Sequence, residues 1–175
     1  MPLSNRRTPS EAQLVHMDAL ARLPIFLALE GKRAVLAGGS PAAAWKAELL
    51  SASGASVEVY ASDPCEELVQ LAASSPRSVI RIDRRSWAPR DLKGAAVAIG
   101  AFEDDEDAVA FASAARAAGV PVNVIDKPAF CDFAFGAIVN RSPLVIGIST
   151  DGAAPVFAQA IRAKIEALLP SGFAG

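Results

Sequence analysis

RAVLAGGSPAAAWKAELLSASGASVEVY, residues Arg33 to Tyr60, reads as strand, glycine turn, helix and strand in succession. Arg33 to Ala37 is short, continuous and bounded by glycines, which suits a buried strand of a parallel sheet. Pro41 falls where a proline opens a helix, because its missing N–H costs nothing in the first turn. Ala42 to Ala52 is rich in good helix formers, and Gly54 supplies a stop. Ser56 to Tyr60 alternates as a strand does. A strand, helix and strand within roughly thirty residues form a right-handed parallel crossover.

The same grammar continues downstream. Glu66 to Ser74 predicts a weak helix, Val79 to Ile82 a strand, Gly94 to Gly100 a small-residue strand, Glu106 to Ala118 an alanine-rich helix and Pro121 to Ile125 a further strand. Such alternation predicts an α/β fold with a Rossmann-like parallel sheet. The grammar then changes. Phe133 to Asn140 and Leu144 to Ser149 flank Arg141-Ser142-Pro143 as a hairpin would, and Pro155 to Leu169 closes as a helix with Phe157, Ile161, Ile165 and Leu168 on one face. The expected division is a flexible N-terminal extension over 1–22, a nucleotide-binding domain over 23–126, and a hairpin-plus-helix part for dimerisation and substrate over 127–175.

Composition narrows the classes. The chain has 175 residues, of which 52% are hydrophobic and 21% charged, so it can bury a core and is not disordered by composition. A net charge of -2 gives no reason to expect a nucleic acid or an anionic membrane as partner. No apolar run approaches the ~18 residues of a membrane span. Two cysteines, Cys65 and Cys131, make no disulfide framework, and with the single histidine, His16, they make no four-ligand zinc site. After Arg6-Arg7 the start of the chain has no apolar stretch of the signal-peptide kind, so the expected address is cytoplasmic.

The candidate chemistry lies at strand ends. Gly38-Gly39-Ser40-Pro41-Ala42-Ala43 joins the first strand to the first helix, where a backbone can approach a pyrophosphate and a helix N-terminus can favour its charge. Ser40 stands where the fingerprint has its middle glycine, and an ordinary glycine turn fits equally well. Ser62 and Asp63 follow the second strand, with Asp63 roughly twenty residues beyond the turn, where a ribose-hydroxyl acceptor belongs. No arginine follows immediately to receive a 2′-phosphate, which favours NAD over NADP; the rival reading of Asp63 is a turn residue before Pro64. The run Glu103 to Asp107 reads as a solvated helix start rather than a metal site. Asp126 ends an apolar strand at the carboxyl edge of the sheet, as a general base or as a loop-starting aspartate.

Taken together, LPIFLALEGKRAVLAGGSPAAAWKAELL (Leu23 to Leu50), NVIDKPAFCDFAFGAIVNRSPLVIGIST (Asn123 to Thr150) and DGAAPVFAQAIRAKIEALLP (Asp151 to Pro170) resemble the N-terminal module of the siroheme synthase family. The resemblance implies NAD-dependent oxidation of precorrin-2 to sirohydrochlorin and, in bifunctional members, insertion of Fe2+ as a substrate metal. It implies cofactor contacts at Pro41, Ala42, Ser62 and Asp63, and an essential aspartate at Asp126, which would also meet Fe2+ transiently. It further implies a modifiable hydroxyl at Thr150 and a homodimer through the hairpin. Ser40, Phe102 and Gly136 depart from the family pattern, which carries a glycine, a threonine and a proline there. Family members continue beyond the position of Gly175 into a helical region that helps cover the tetrapyrrole, which leaves a truncated chain among the expectations. The rival function is an NAD-binding module without turnover.

Overall fold

The computed structural model describes residues 18–74 and 79–169; His16 and most of the expected N-terminal extension lie outside them. Strands β1 (Arg33–Ala37), β2 (Ser56–Tyr60), β3 (Ile80–Asp83), β4 (Val97–Gly100) and β5 (Val122–Val124) form one parallel sheet in the order β3-β2-β1-β4-β5. Helices α1 (Pro41–Ala52), α2 (Glu66–Ser74) and α3 (Asp105–Ala117) cover it. The order reverses between β1 and β4, which makes the gap beyond their carboxyl ends the natural ligand crevice of the fold.

Alternation along the strands builds two cores. Ala34 and Leu36 of β1 face Val57, Val59, Val97, Ile99 and the α1 residues Ala43, Ala47 and Leu50. Val35 and Ala37 face the other way, toward Ala98, Val122, Val124 and the α3 residues Ala108, Phe111 and Ala115. Alanine at the helix contacts lets the backbones come close to the sheet, so a short five-residue strand is buried almost throughout.

The helix starts are specified locally. Ser40 caps α1, its hydroxyl accepting from the Ala43 N–H at 3.3 Å, with Pro41 in the first turn. Asp104 caps α3 by accepting from the Glu106 N–H at 2.7 Å, and Asp105, Glu106 and Asp107 place negative charge on the positive end of the helix dipole. The acidic run therefore behaves as a helix start.

Several boundaries differ from expectation, and so does one helix face. The small-residue strand begins at Val97 rather than Gly94, because Gly94 turns at φ +76 after the short 3-10 turn Pro89–Leu92. The fifth strand stops at Val124, where the Lys127 N–H returns to the Val124 carbonyl. The hairpin strand β6 spans Ala137–Arg141, not Phe133 to Asn140, because Phe133 and Phe135 turn inward against the α1 side of the core. It pairs antiparallel with β7 (Leu144–Ile148), and α4 (Pro155–Leu168) packs against β6. On α4 the inward stripe is Ala158, Ile161 and Ile165; Phe157 and Leu168, expected on that face, point outward at 61% and 80% exposure.

Candidate functional site

Both glycines of the β1–α1 turn are required by the backbones that cross it. Gly38 sits at φ +114, and a side chain there would meet the Ala101 carbonyl oxygen and, at 2.9 Å, its Cβ. A Cβ on Gly39 would lie 2.6 Å from the Asp63 carbonyl oxygen and 2.8 Å from the Pro64 Cα. The Cys65 N–H donates to the Gly39 carbonyl at 2.8 Å, locking the loop after β2 onto the turn. The glycines thus admit two neighbouring loops, and that packing gathers the ends of β1, β2 and β4 around one opening.

That opening is a cleft of about 440 Å3 lined by Gly38, Gly39, Ser62, Asp63, Trp87 and Phe102, with Tyr60, Ala61, Ser86 and Asp107 completing it. Trp87 and Phe102 both pack on Phe111, with ring centroids 5.0 and 5.3 Å away, so these aromatic walls are fixed from beneath. The loop carrying Ser86 and Trp87 is held by a bidentate pair: Arg85 donates to Asp91 at 2.7 and 2.9 Å, and the Ala88 N–H donates to the same carboxylate at 2.7 Å. The Arg85 hydrogen bonds hold the Asp91 carboxyl below the ordinary carboxylate range, against a desolvation that pushes it up. Arg85 also donates to Asp83 at 2.8 Å and lies 4.6 Å over the Tyr60 ring.

A second group of residues lies at the end of β5. Asp126 is exposed there in a left-handed conformation, φ +59. The segment beneath it is anchored through Cys131: its single S–H is shared between the Val124 and Lys127 carbonyls at 3.2 and 3.3 Å, and its sulfur accepts from the Val124 N–H at 3.2 Å. Asn123, itself buried, donates to the Phe133 carbonyl at 2.9 Å, and Lys127 pairs with Asp105. Facing this segment from α1 is Lys46, only 8% exposed. Its ammonium rests 3.7 Å from the Phe135 ring centre and 4.3 Å from that of Trp45. Burial lowers its pKa to about 8, with Asp126 and Cys131 pulling it back up.

Of the residues singled out in the sequence, Gly38, Gly39, Ser62 and Asp63 meet in the cleft, while Ser40, Pro41 and Ala42 begin α1 and are not among its lining residues. Ser40 has a local task as a helix cap, so its side chain is already directed at Ala43. Asp126 lies at the end of β5 outside the cleft lining, and Thr150 follows β7, its carbonyl accepting from the Ala153 N–H at 3.0 Å. Among the described residues no group of three or more His, Cys, Asp or Glu comes together to hold a metal, so Asp126 belongs to no preformed metal site. Trp87 and Lys46 escaped the sequence reading. A lone tryptophan in a polar loop was a signal for the first; a lysine in an alanine-rich helix gave none for the second.

Comparison with known proteins is consistent with this geometry. A family model described as "Putative NAD(P)-binding" matches residues 25–137, and one described as "Sirohaem biosynthesis protein central" matches residues 141–168. Siroheme synthase of Ectopseudomonas mendocina (strain ymp) is 42% identical over 151 residues, which are 86% of this chain and 32% of that protein. The siroheme synthase of Methylococcus capsulatus is 41% identical over the same share of this chain and 31% of its own. The chain spans about a third of the length of the curated relatives it matches. Among solved structures, SirC, precorrin-2 dehydrogenase, aligns with a TM-score of 0.66 at 20% identity, over 86% of this chain and 72% of that one, a likeness of fold.

Proposed function

We propose that this chain, which belongs to the NAD(P)-binding family matched above, oxidises precorrin-2 to sirohydrochlorin with NAD+ as the hydride acceptor. The observation that carries the reading is the cleft at the β1/β4 reversal, with Asp126 on the same carboxyl edge of the sheet. The cleft residues fit a dinucleotide. Asp63 can accept from ribose hydroxyls, Trp87 and Phe102 offer flat apolar walls, and α1 presents the positive end of its dipole. NAD+ is favoured over NADP+ because the Asp63 carboxylate opposes a 2′-phosphate and Arg85 is already engaged by Asp91 and Asp83.

When bound, NAD+ supplies the acceptor for the hydride that leaves the tetrapyrrole. The protein's part is orientation and proton transfer. The fixed cleft walls hold the cofactor, and Asp126 takes the proton that must leave the macrocycle together with the hydride. A carboxylate on an exposed strand end can do this because it can accept the proton and pass it on to water. The same carboxylate can accept pyrrole N–H protons when Fe2+, as substrate, enters sirohydrochlorin, so chelation at this edge is the second step proposed. Thr150 is proposed as a modifiable hydroxyl, a homodimer through the hairpin as the assembly, and the cytoplasm as the compartment.

Purified chain mixed with precorrin-2 and either NAD+ or NADP+ tests the reading. The expected result is reduced cofactor with NAD+ and much slower reduction with NADP+; binding of NAD+ without reduction would replace the enzyme by a cofactor-binding module. Siroheme formation from sirohydrochlorin and Fe2+ without NAD+ tests the chelation step.

A further inference from the structure

Lys46 is a buried cation with no anion of the described residues within hydrogen-bond or ion-pair distance. Among the described residues no hydrogen bond or ion pair reaches its ammonium; the residue is only 8% exposed, and because no fully buried side-chain nitrogen or oxygen there lacks a partner, the ammonium keeps a small opening to solvent. Its three N–H donors face that opening, where water or an arriving ligand can take them. The ring faces of Phe135 and Trp45 stabilise the charge, but they do not replace the hydration that burial of the side chain removes. The groups around it are few. From the segment after β5 come Asp126 and Cys131, from the linker to β6 the Phe135 ring, and from α1 itself Trp45. The ammonium thus lies between α1 and the edge that displays Asp126.

We propose that Lys46 receives a carboxylate of the ligand bound at the Asp126 edge, an acetate or propionate arm of the tetrapyrrole. The identification of the ligand rests on the functional reading above; the need for an anion rests on Lys46 alone. A carboxylate arriving at a desolvated ammonium gains a charge-assisted hydrogen bond in a medium where that bond is strong. It also removes a cost that the free protein carries, so the site favours an anionic arm over a neutral one. Placing that arm fixes where the macrocycle lies relative to Asp126. The lysine can instead be read as a brace, holding α1 to the Phe135 linker through its two rings. The two readings differ in what the lysine does to stability.

The test titrates sirohydrochlorin fluorescence against the whole chain and its Lys46→Met and Lys46→Arg variants, with NAD+ affinity and melting temperature measured on each. The expected result is a Kd for sirohydrochlorin raised tenfold or more in Lys46→Met and within threefold of wild type in Lys46→Arg, with NAD+ affinity unchanged. Lys46→Met should melt at or above the wild-type temperature, since it removes a charge the free protein holds at a cost. Wild-type affinity for sirohydrochlorin in Lys46→Met overturns the proposal, and a lowered melting temperature with unchanged affinity makes the lysine a brace. If Lys46→Met fails to fold, Lys46→Gln is read by the same criteria. A wild-type chain that binds sirohydrochlorin through Lys46 but reduces no NAD+ removes the dehydrogenase reading and leaves this site standing. A wild-type chain that leaves sirohydrochlorin unbound overturns both.

Discussion

Lys46 carries its charge into a place where ionisation is disfavoured, and that has a consequence for pH. In the folded protein it releases its proton near pH 8, whereas the unfolded chain keeps it to about 10.5. Between these values the unfolded state binds more protons, so stability rises with pH across that window, and below it the full cost of the buried charge is present. Urea denaturation of wild type and Lys46→Met at neutral pH and near pH ~10 should show the wild type gaining on the variant as pH rises. A difference independent of pH would contradict the assignment. At Asp63 the expectation concerns the cofactor: Asp63→Ala should weaken NAD+ binding about fivefold to tenfold by calorimetry, the loss of one hydrogen bond of about 1 kcal/mol, with stability little changed. Gly38 is a different kind of residue. Gly38→Ala forces a side chain into φ +114 against Ala101 and should cost about 1–3 kcal/mol of unfolding free energy by urea denaturation, so it reports on the fold rather than on the cofactor.

Elements whose ends carry their own chemistry were legible in the sequence. The β1–α1–β2 unit follows from a glycine-bounded apolar run, a proline at the helix start and an alternating strand, and each signal is local. The hairpin and α4 were legible as elements but not as surfaces. Periodicity placed Phe157 and Leu168 inward, yet α4 packs through Ala158, because a small residue lets the helix come close to β6 and so fixes which stripe turns in. Phe133 and Phe135 read as strand residues, but the tertiary pull of the α1 core takes them out of the ladder. The cleft was half visible, since Gly38, Gly39, Ser62 and Asp63 sit at predicted strand ends, whereas Trp87 reaches it only because Arg85 and Asp91 fold the β3–β4 loop back. That loop yields a prediction at its own scale. Asp91→Asn should cost about 1–3 kcal/mol by urea denaturation and also weaken NAD+ binding through displacement of Trp87. The carboxylate's contribution is present above the ordinary carboxylate range and is lost as pH falls through its lowered folded value. Stability loss with unchanged NAD+ affinity would remove Trp87 from the cofactor site.

The molecule as a whole leaves apolar surface outside its two cores. Leu144 and Val145 on β7 and Val156, Phe157 and Leu168 on or beside α4 are exposed, on a two-stranded sheet that has little core of its own. A second copy placed against this region would cover them and the open strand edges, so light scattering at micromolar concentration should give a dimer mass, and Phe157→Asp should shift it toward monomer. A monomer mass for the folded wild type would remove the proposed dimer. The central claim, however, concerns two sites on one sheet edge, a cofactor cleft at Gly38 and a proton acceptor at Asp126. It is tested most directly by a single-turnover mixture of the chain, NAD+ and precorrin-2, run beside Asp126→Asn. The account predicts NADH and sirohydrochlorin in equal amounts from the wild type, and from Asp126→Asn wild-type NAD+ affinity with NADH formation slowed about a hundredfold or more. NADH formation at the wild-type rate in Asp126→Asn, or tight NAD+ binding with no NADH from the wild type, would contradict it.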